Sequence, residues 1–437
     1  MNVVLAKTDT GRAVSTSFAL ARERLPGSGK VAEQRQQAFE AFERAGLPHR
    51  RIEDWKYTDL RVLMREVLPL AAAPDTAALS RAEAALKLHA IEGTRRLVLV
   101  DGVFAPKLSD LGKGEKGLSV RTLREVLEAG GGELLASDNS NPMIALNTAM
   151  ATDGVVIEIA NGTVLEQPLH VIHVASTGTP AAMYTRSLLR LGRDASATLV
   201  ESFVATEGAK AYQTYDSLTV SLGDNARLDH LRLVEDGLEA FNIASAAVTL
   251  GAHAQLNTFG MVSGASVSRC QPTIVFAGEG ARVDTNGVNL IKGRQHADTT
   301  LFMDHAVPHC ASREVFRAVI DDRAHSVFQG RIVVRPDAQK TDAKMMTRAL
   351  LLSDEAEADN KPELEIFADD VTCGHGATTG ALDESLLFYL RARGLPEKEA
   401  QALLIQAFVG EAIESIANDS LREHVIAAAQ RWLEARA

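Results

Sequence analysis

Apolar positions recur along this chain with two different periods, and the switch between them divides it into three regions. Up to about residue 93 the period is helical. Val31, Ala38, Phe39, Phe42 and Ala45 share one side of a 3.6-residue repeat, and Gly46 with Pro48 supplies a stop. An alanine-rich helix is predicted from Ala71 through Leu88. From Arg95 the texture becomes one of short strands. Leu97-Val98-Leu99-Val100 runs into an Asp101-Gly102 turn, and further runs follow at Val155 to Ala160, His170 to Ala175, Ser187 to Leu191, Leu218 to Leu222 and Val248 to Leu250. Residues 111–140 are mixed, with a helix predicted from Val120 to Ala129, and strands are expected to dominate after Asn141-Pro142. After Thr379 the helical period returns. Leu386, Leu387 and Leu390 start a helix that ends at Gly394, Ala400 to Phe408 carry the next apolar stripe, and Ser420 with Glu423 forms a capping box for the last. The expected domains are a helical region 1–93, a β core 94–379 and a helical module 380–437 that caps the open end of the core or docks a partner.

Within the β core a short phrase recurs: a turn of small or polar residues, an alanine, then a strand. It reads Gly192-Arg193-Asp194-Ala195, Gly223-Asp224-Asn225-Ala226, Gly251-Ala252-His253-Ala254 and Gly278-Glu279-Gly280-Ala281, with Asp321-Asp322-Arg323-Ala324 as a looser match. The alanines are spaced by 31, 28, 27 and then 43 residues. The first three intervals suit a coiled solenoid with more than one strand per rung; a sandwich would place strands about 8–12 residues apart without a recurring phrase. Composition agrees. Aromatic residues are only 5% of the chain and glycines number 32, as expected where tight corners and stacked small side chains leave little room for rings.

Charge and cysteine content narrow the function. A formal charge of −11 argues against a nucleic-acid track or an anionic membrane surface as partner. Cys270, Cys310 and Cys373 are too few and too scattered for a disulfide framework or a CxxC zinc site. No apolar run approaches the length of a membrane span, and the Val3 to Ala6 stretch lacks the basic flank of a signal peptide, so a reducing cytoplasm is the expected location.

Leu25-Pro26-Gly27-Ser28-Gly29-Lys30 resembles a phosphate loop only superficially, because Arg24 and Val31 stand where the pattern needs Gly and Ser or Thr. Trp55 and Tyr57, set among the charges of Arg50 to Thr58, read as anchors of a helix entry. His305, His309 and Cys310 fall within six residues, but Pro308 prevents a helix from presenting the two histidines together. A buried Cys310 and loop histidines are expected there. The tighter constellation is Cys373-Gly374-His375-Gly376. In a strand, residues i and i+2 share a face, so the thiol and imidazole can address one site. Such donors suit iron or an iron–sulfur cluster, but two cannot complete a set of four, and another chain or exogenous sulfur would have to supply the rest. A purely structural role stays open on spacing alone.

Several longer phrases carry a family resemblance. They are Arg51-Ile52-Glu53-Asp54-Trp55-Lys56-Tyr57-Thr58, Val100-Asp101-Gly102, Leu108-Ser109-Asp110, Lys340-Thr341-Asp342, Lys361-Pro362-Glu363-Leu364-Glu365-Ile366-Phe367-Ala368-Asp369-Asp370-Val371 running into Cys373 to Thr378, and Phe388 to Gly394. With these the chain resembles, over nearly its whole length, the SufB/SufD family of iron–sulfur cluster assembly scaffolds, and within it the SufD branch. The resemblance implies a right-handed parallel β-helix flanked by N-terminal and C-terminal α-helical segments. It also implies a scaffold rather than an enzyme, paired with SufB and docked through its C-terminal helices on the SufC ATPase, with no nucleotide bound by this chain. Cys373 and His375 match the family's functional pair, implicated in a transient iron–sulfur cluster or iron shared with SufB. A homodimer in isolation is left open. So are two other readings, a purely structural mate of SufB and a β-helix carbohydrate-active enzyme using Asp321-Asp322 and Asp369-Asp370 as carboxylate pairs.

Overall fold

The computed structural model describes residues 9–110, 114–136 and 139–436. The Val3 to Ala6 stretch and parts of the 111–140 segment lie outside the described residues. Two sheets of ten and nine strands form the middle of the molecule, and each takes alternate strands of the chain. Every turn of chain therefore lays one strand in each sheet, and from Leu169–Ala175 onward all pairing is parallel. This is a parallel β-solenoid. Among the described residues antiparallel strand pairs occur only near its N-terminal end, where Arg95–Val100 turns back on Val103–Phe104 and Leu118–Thr122 pairs with Val155–Ile159. The first of these hairpins is closed by Asp101 and Gly102 at φ 50° and 78°, the two left-handed residues that the tightest hairpin turn requires.

The recurring phrase is one corner of the coil. Asp194, Asn225, His253, Gly280, His309 and Lys340 all have φ between 56° and 70°. Successive corners are tied by backbone bonds: Asp194 N–H donates to the Asp224 carbonyl at 2.9 Å, Asn225 to Ala252 at 2.8 Å, His253 to Glu279 at 2.8 Å and His309 to Gln339 at 2.9 Å. The residue after each corner points into the core, giving the series Ala195, Ala226, Ala254, Ala281 and then Cys310, all buried. The 43-residue interval is thereby corrected. Cys310 holds the fifth alanine slot, and Ala324 follows a left-handed Asp322 in a different corner.

Inside the coil, register stacks like on like. One column runs Leu191, Leu222, Leu250, Phe276, His305, Val334 and Ile366. Its first six members are buried, whereas Ile366, in the last rung, is 42% exposed. The lumen is not filled throughout. A cavity of about 100 Å³, lined by Glu201, His230, Arg232, Thr258, Cys270 and Phe316 among others, occupies its middle.

The helices cover the two outer faces. At the N-terminal end, helix Lys30–Ala45 buries Val31, Ala38, Phe39 and Phe42, and with Phe18, Trp55 and Met64 it packs against Tyr184, Tyr215 and Ile243 of the nine-stranded sheet. The alanine-rich helix starts later than expected, at Thr76, because Asp75 caps it by accepting from Ala78 N–H at 2.7 Å. The expected helix from Val120 is shortened to Leu123–Glu128, since Thr122 and Glu125 form a capping box after a strand. After Asn141-Pro142 comes a helix first, Pro142–Met150, capped by Asn141 and almost wholly buried.

The C-terminal helices Glu397–Ile413 and Asp419–Arg436 do not cap the open end. They lie on the ten-stranded sheet, where Ile405, Val409, Val425 and Trp432 pack on Leu231, Phe259, Val288 and Val319. Arg317 with Glu411 and Arg436 with Asp321 pair across that junction. The last helix is capped by Asn418, whose side chain accepts from Leu421 N–H at 3.1 Å, rather than by Ser420. Helix Glu384–Ala392 has no buried residue. Among the described residues no helix is long and apolar enough to cross a membrane.

Candidate functional site

The terminal rung consists of strands Glu357–Ile366 and Thr372–Gly380, each the last of its sheet. In the second, Cys373 pairs with Ala343 and His375 with Met345. Both partners are buried in the lumen core, so strand alternation turns Cys373 and His375 to the lumen side as well. No described strand stacks beyond them. Cys373 is half-buried against the core and His375 is exposed. The glycines that flank the histidine differ in kind. A Cβ on Gly376 would meet Met346 Cε at 2.6 Å, whereas Gly374 faces open space.

Electrostatics keep the thiol protonated. Burial pushes the Cys373 thiol above its ordinary value, and the carboxyls of Asp342 and Glu314 push it further, against a backbone hydrogen bond from Ala343. This is not the electropositive setting that creates a reactive thiolate, so a ligand for Cys373 has to displace a proton. Among the described residues no three His, Cys, Asp or Glu side chains gather closely enough to hold a metal ion. The site is open and incomplete, as two donors on an uncovered rung must be.

Sequence reasoning missed the residues below this pair. Glu314, in strand Ala311–Ile320, pairs with Met345, which in turn pairs with His375, so the three form one lumen column. Its side chain is wholly buried and neither carboxyl oxygen has a hydrogen-bond partner. The Ser312 hydroxyl, which also meets His305 Nε2 at 3.1 Å, and the charge of Arg313 offset only part of the cost of that burial. Burial raises the Glu314 carboxyl to about 8. Inward alternation in that strand could have marked it, but Arg317 and Val319 on the opposite face are covered by the C-terminal helices and blur the pattern.

The other sequence candidates are not brought together. His305 lies in a strand, stacked on Phe276 with ring centres 4.2 Å apart; His309 is a corner residue; Cys310 fills an alanine slot. The Cys270 thiol lines the central cavity, and burial raises its pKa. Asp321 pairs with Arg436, Asp322 accepts from Gly293 N–H at 3.0 Å, and Asp370 pairs with Lys340, so these carboxylates brace corners. Gly27, at φ 90°, follows a short 3-10 helix, and a Cβ there would meet Val31 Cγ1 at 2.4 Å. Trp55 is an anchor, as expected. The Arg269 guanidinium lies 3.9 Å from its ring centre and donates to the Asp54 carbonyl at 2.6 Å, while Arg269 and Thr58 both bond Asp298.

Comparison with known proteins agrees with this architecture. Residues 173–408 match the family model described as SUF system FeS cluster assembly, SufBD core domain, and residues 26–171 match the SufBD protein N-terminal region. The chain is 31% identical over 403 residues to the iron–sulfur cluster assembly protein SufD of Escherichia coli, covering 91% of this chain and 92% of that protein. It is also 31% identical over 408 residues to a SufBD family iron–sulfur cluster assembly protein of Synechocystis, covering 90% and 89%. Against SufD of Bacillus subtilis the identity is 26% over 296 residues, 67% of either chain.

Proposed function

Because the chain belongs to the SufBD family of iron–sulfur cluster assembly proteins, we propose that it is the SufD-type scaffold subunit of a cytoplasmic SufBCD complex, pairing with SufB and taking its ATP-driven motion from SufC. The observation that carries this reading is the terminal rung. Cys373 and His375 face the lumen mouth on the last strand of a sheet whose outer edge has no described neighbour. A free parallel edge is a template for pairing with another chain, and exposed Phe367 beside it supplies apolar area. A partner seated there would bring the donors that two ligands lack. Iron and sulfide are the cargo, built at the interface, and this chain performs no bond-making chemistry of its own.

The SufC contact is assigned to helix Glu384–Ala392, where Leu386, Phe388 and Tyr389 are 51%, 74% and 54% exposed. The longer helices behind it are fastened to the ten-stranded sheet through Trp432, Val425 and the Arg317–Glu411 pair. Displacement of the docking helix would therefore pass into the solenoid and toward the rung that bears Cys373.

The test is His375→Ala in the co-expressed three-protein complex, purified without oxygen. Iron per complex is expected to fall severalfold while the complex is recovered in unchanged yield. Loss of the complex would make the residue structural, and unchanged iron would remove it from the site.

A further inference from the structure

The cavity in the middle of the lumen is produced by two columns of small residues. In the ten-stranded sheet one lumen column reads Glu201, Arg232, Gly260, Gly287 and Phe316. In the nine-stranded sheet another reads Leu218, Ala246 and Pro272. All of these residues line the cavity of about 100 Å³. A Cβ on Gly260 would meet no atom within 4 Å, whereas one on Gly287 would meet Phe316 Cδ1 at 2.5 Å. Phe316 therefore leans over its neighbour and closes the void on that side, while Arg232 stands on the other. Two successive glycines weaken the strands that carry them, and a glycine inside a strand often marks a place where a ligand approaches the backbone. The rest of the wall is mostly apolar, with Val248, Leu256 and Ile274 among its members. Its polar groups gather beside Arg232, whose terminal nitrogens are taken by Glu201 at 3.4 Å, Asp216 at 3.3 Å and Asn242 at 3.3 Å. The Arg232 Nε–H has no hydrogen-bond partner among the described residues, although the residue is only 8% exposed.

We propose that this cavity is a binding site for one small neutral molecule with an apolar body and a single acceptor atom, such as a short-chain ketone, whose oxygen takes the Arg232 Nε–H. A mostly apolar chamber with a few convergent polar groups is the usual form of a small-molecule site. Charge excludes ions. The one cation is already shared by Glu201 and Asp216, which would repel an anion, and a further cation would find both carboxylates engaged. Size sets the other limit. A volume of about 100 Å³ is the share of about three waters and is smaller than the void of about 150 Å³ that takes benzene, so the ligand has about four to six non-hydrogen atoms. The Cys270 thiol, kept protonated by burial, adds a soft polarizable contact to the wall rather than a nucleophile. The site belongs to the middle of the coil and does not depend on the reading of Cys373 and His375.

The experiment is an NMR titration of the full-length chain with xenon under pressure and, separately, with butan-2-one, alongside Gly260→Val and Ala246→Leu, each of which puts a side chain into the void. Xenon reports the cavity itself. In the parent chain it is expected to bind and to shift the methyl resonances of Val248, Leu256 and Ile274, and both filled variants are expected to lose that response. Butan-2-one should displace xenon from the parent and move the Arg232 Nε–H resonance downfield, a change that xenon, which accepts no hydrogen bond, does not produce. Either variant decides the matter if the other is recovered poorly, because both fill one chamber from opposite sheets. No xenon response in the parent, or a parent-like response in a folded filled variant, would overturn the site. Displacement of xenon by butan-2-one with an unmoved Arg232 resonance would overturn the acceptor contact and reduce the cavity to an apolar one.

Discussion

Glu201 and Glu314 project into the lumen of one solenoid, both almost completely buried, and they have opposite surroundings. Glu201, in the middle, is met by His230 Nε2 at 3.0 Å and by Arg232 at 3.4 Å; Arg232 also reaches Asp216 at 3.3 Å and lies 4.0 Å from the Phe203 ring centre. Burial alone pushes Glu201 up, but His230 and Arg232 overcome it and hold the carboxyl down at about 2. Glu314, near the open end, has no ion-pair partner among the described residues, and burial, opposed only by Ser312 and the charge of Arg313, takes it up to about 8. The middle of the coil spends its polar groups on one another. The end keeps its polar groups available, which is what a surface that must accept cargo and a partner requires.

Removing the cation from the middle should therefore have the largest effect. Arg232→Met leaves Glu201 and Asp216 buried without their shared partner and is expected to cost about 3–5 kcal/mol, measured by chemical denaturation. Glu314→Gln, changing a residue of equal burial, is expected to be neutral or stabilising. If the two variants lose similar stability, the contrast between middle and end is broken.

Much of this architecture can be read from the sequence, and the failures have physical causes. The Gly-x-x-Ala phrase works because a left-handed corner followed by a small inward residue is needed once per turn, so Asp194, Asn225 and His253 repeat in register. It breaks at Cys310 because a thiol fits a slot sized for a methyl group about as well as alanine does. The buried Cys310 expected beside His309 is thereby explained, since both belong to one corner. Cys373 and His375 are legible because alternation in a strand is local. Glu314 is not, because the rungs it stacks with are a full turn of chain or more away and buried residues lie on both faces of its strand. The placing of the C-terminal helices on the ten-stranded sheet, rather than over its end, also escapes a periodicity argument. An apolar stripe such as Ala400 to Phe408 says that a face is covered but not by what.

Acidity offers a second, intermediate test of the two glutamates. For Glu314 the folded value near 8 lies above the ordinary 4.5, so between those pH values the unfolded chain has lost the proton that the folded chain keeps. Folding stability then falls as pH rises through that window. Glu314→Gln should gain on the parent by a margin that grows from pH 4.5 to 8, reaching about 2–4 kcal/mol. For Glu201 the sign reverses. Its depressed value stabilises the fold above pH 4.5, and that contribution is lost as pH falls toward 2. The stability gap between parent and Glu201→Gln should shrink over that acid range. Denaturation curves at pH 3, 5, 7 and 8.5 check both, and parallel pH profiles for the two variants would contradict the assignment.

The smallest effect on the chain itself is expected at the edge. Ile366 ends the column that begins with Leu191 and passes through Phe276, yet it is 42% exposed, and Phe367 after it is 60% exposed. Phe367 has forgone most, and Ile366 a large part, of the burial that would make them structural, so Ile366→Ser with Phe367→Ser should lower stability by only about 1 kcal/mol. If the terminal rung receives SufB, those same apolar groups become buried in the complex, and the double variant should weaken heterodimer formation in sedimentation-velocity titrations while the isolated chain melts nearly as before. A variant that assembles normally would place the interface elsewhere. One that unfolds would show that the last rung is held as firmly as the middle, contrary to the contrast drawn from Glu201 and Glu314.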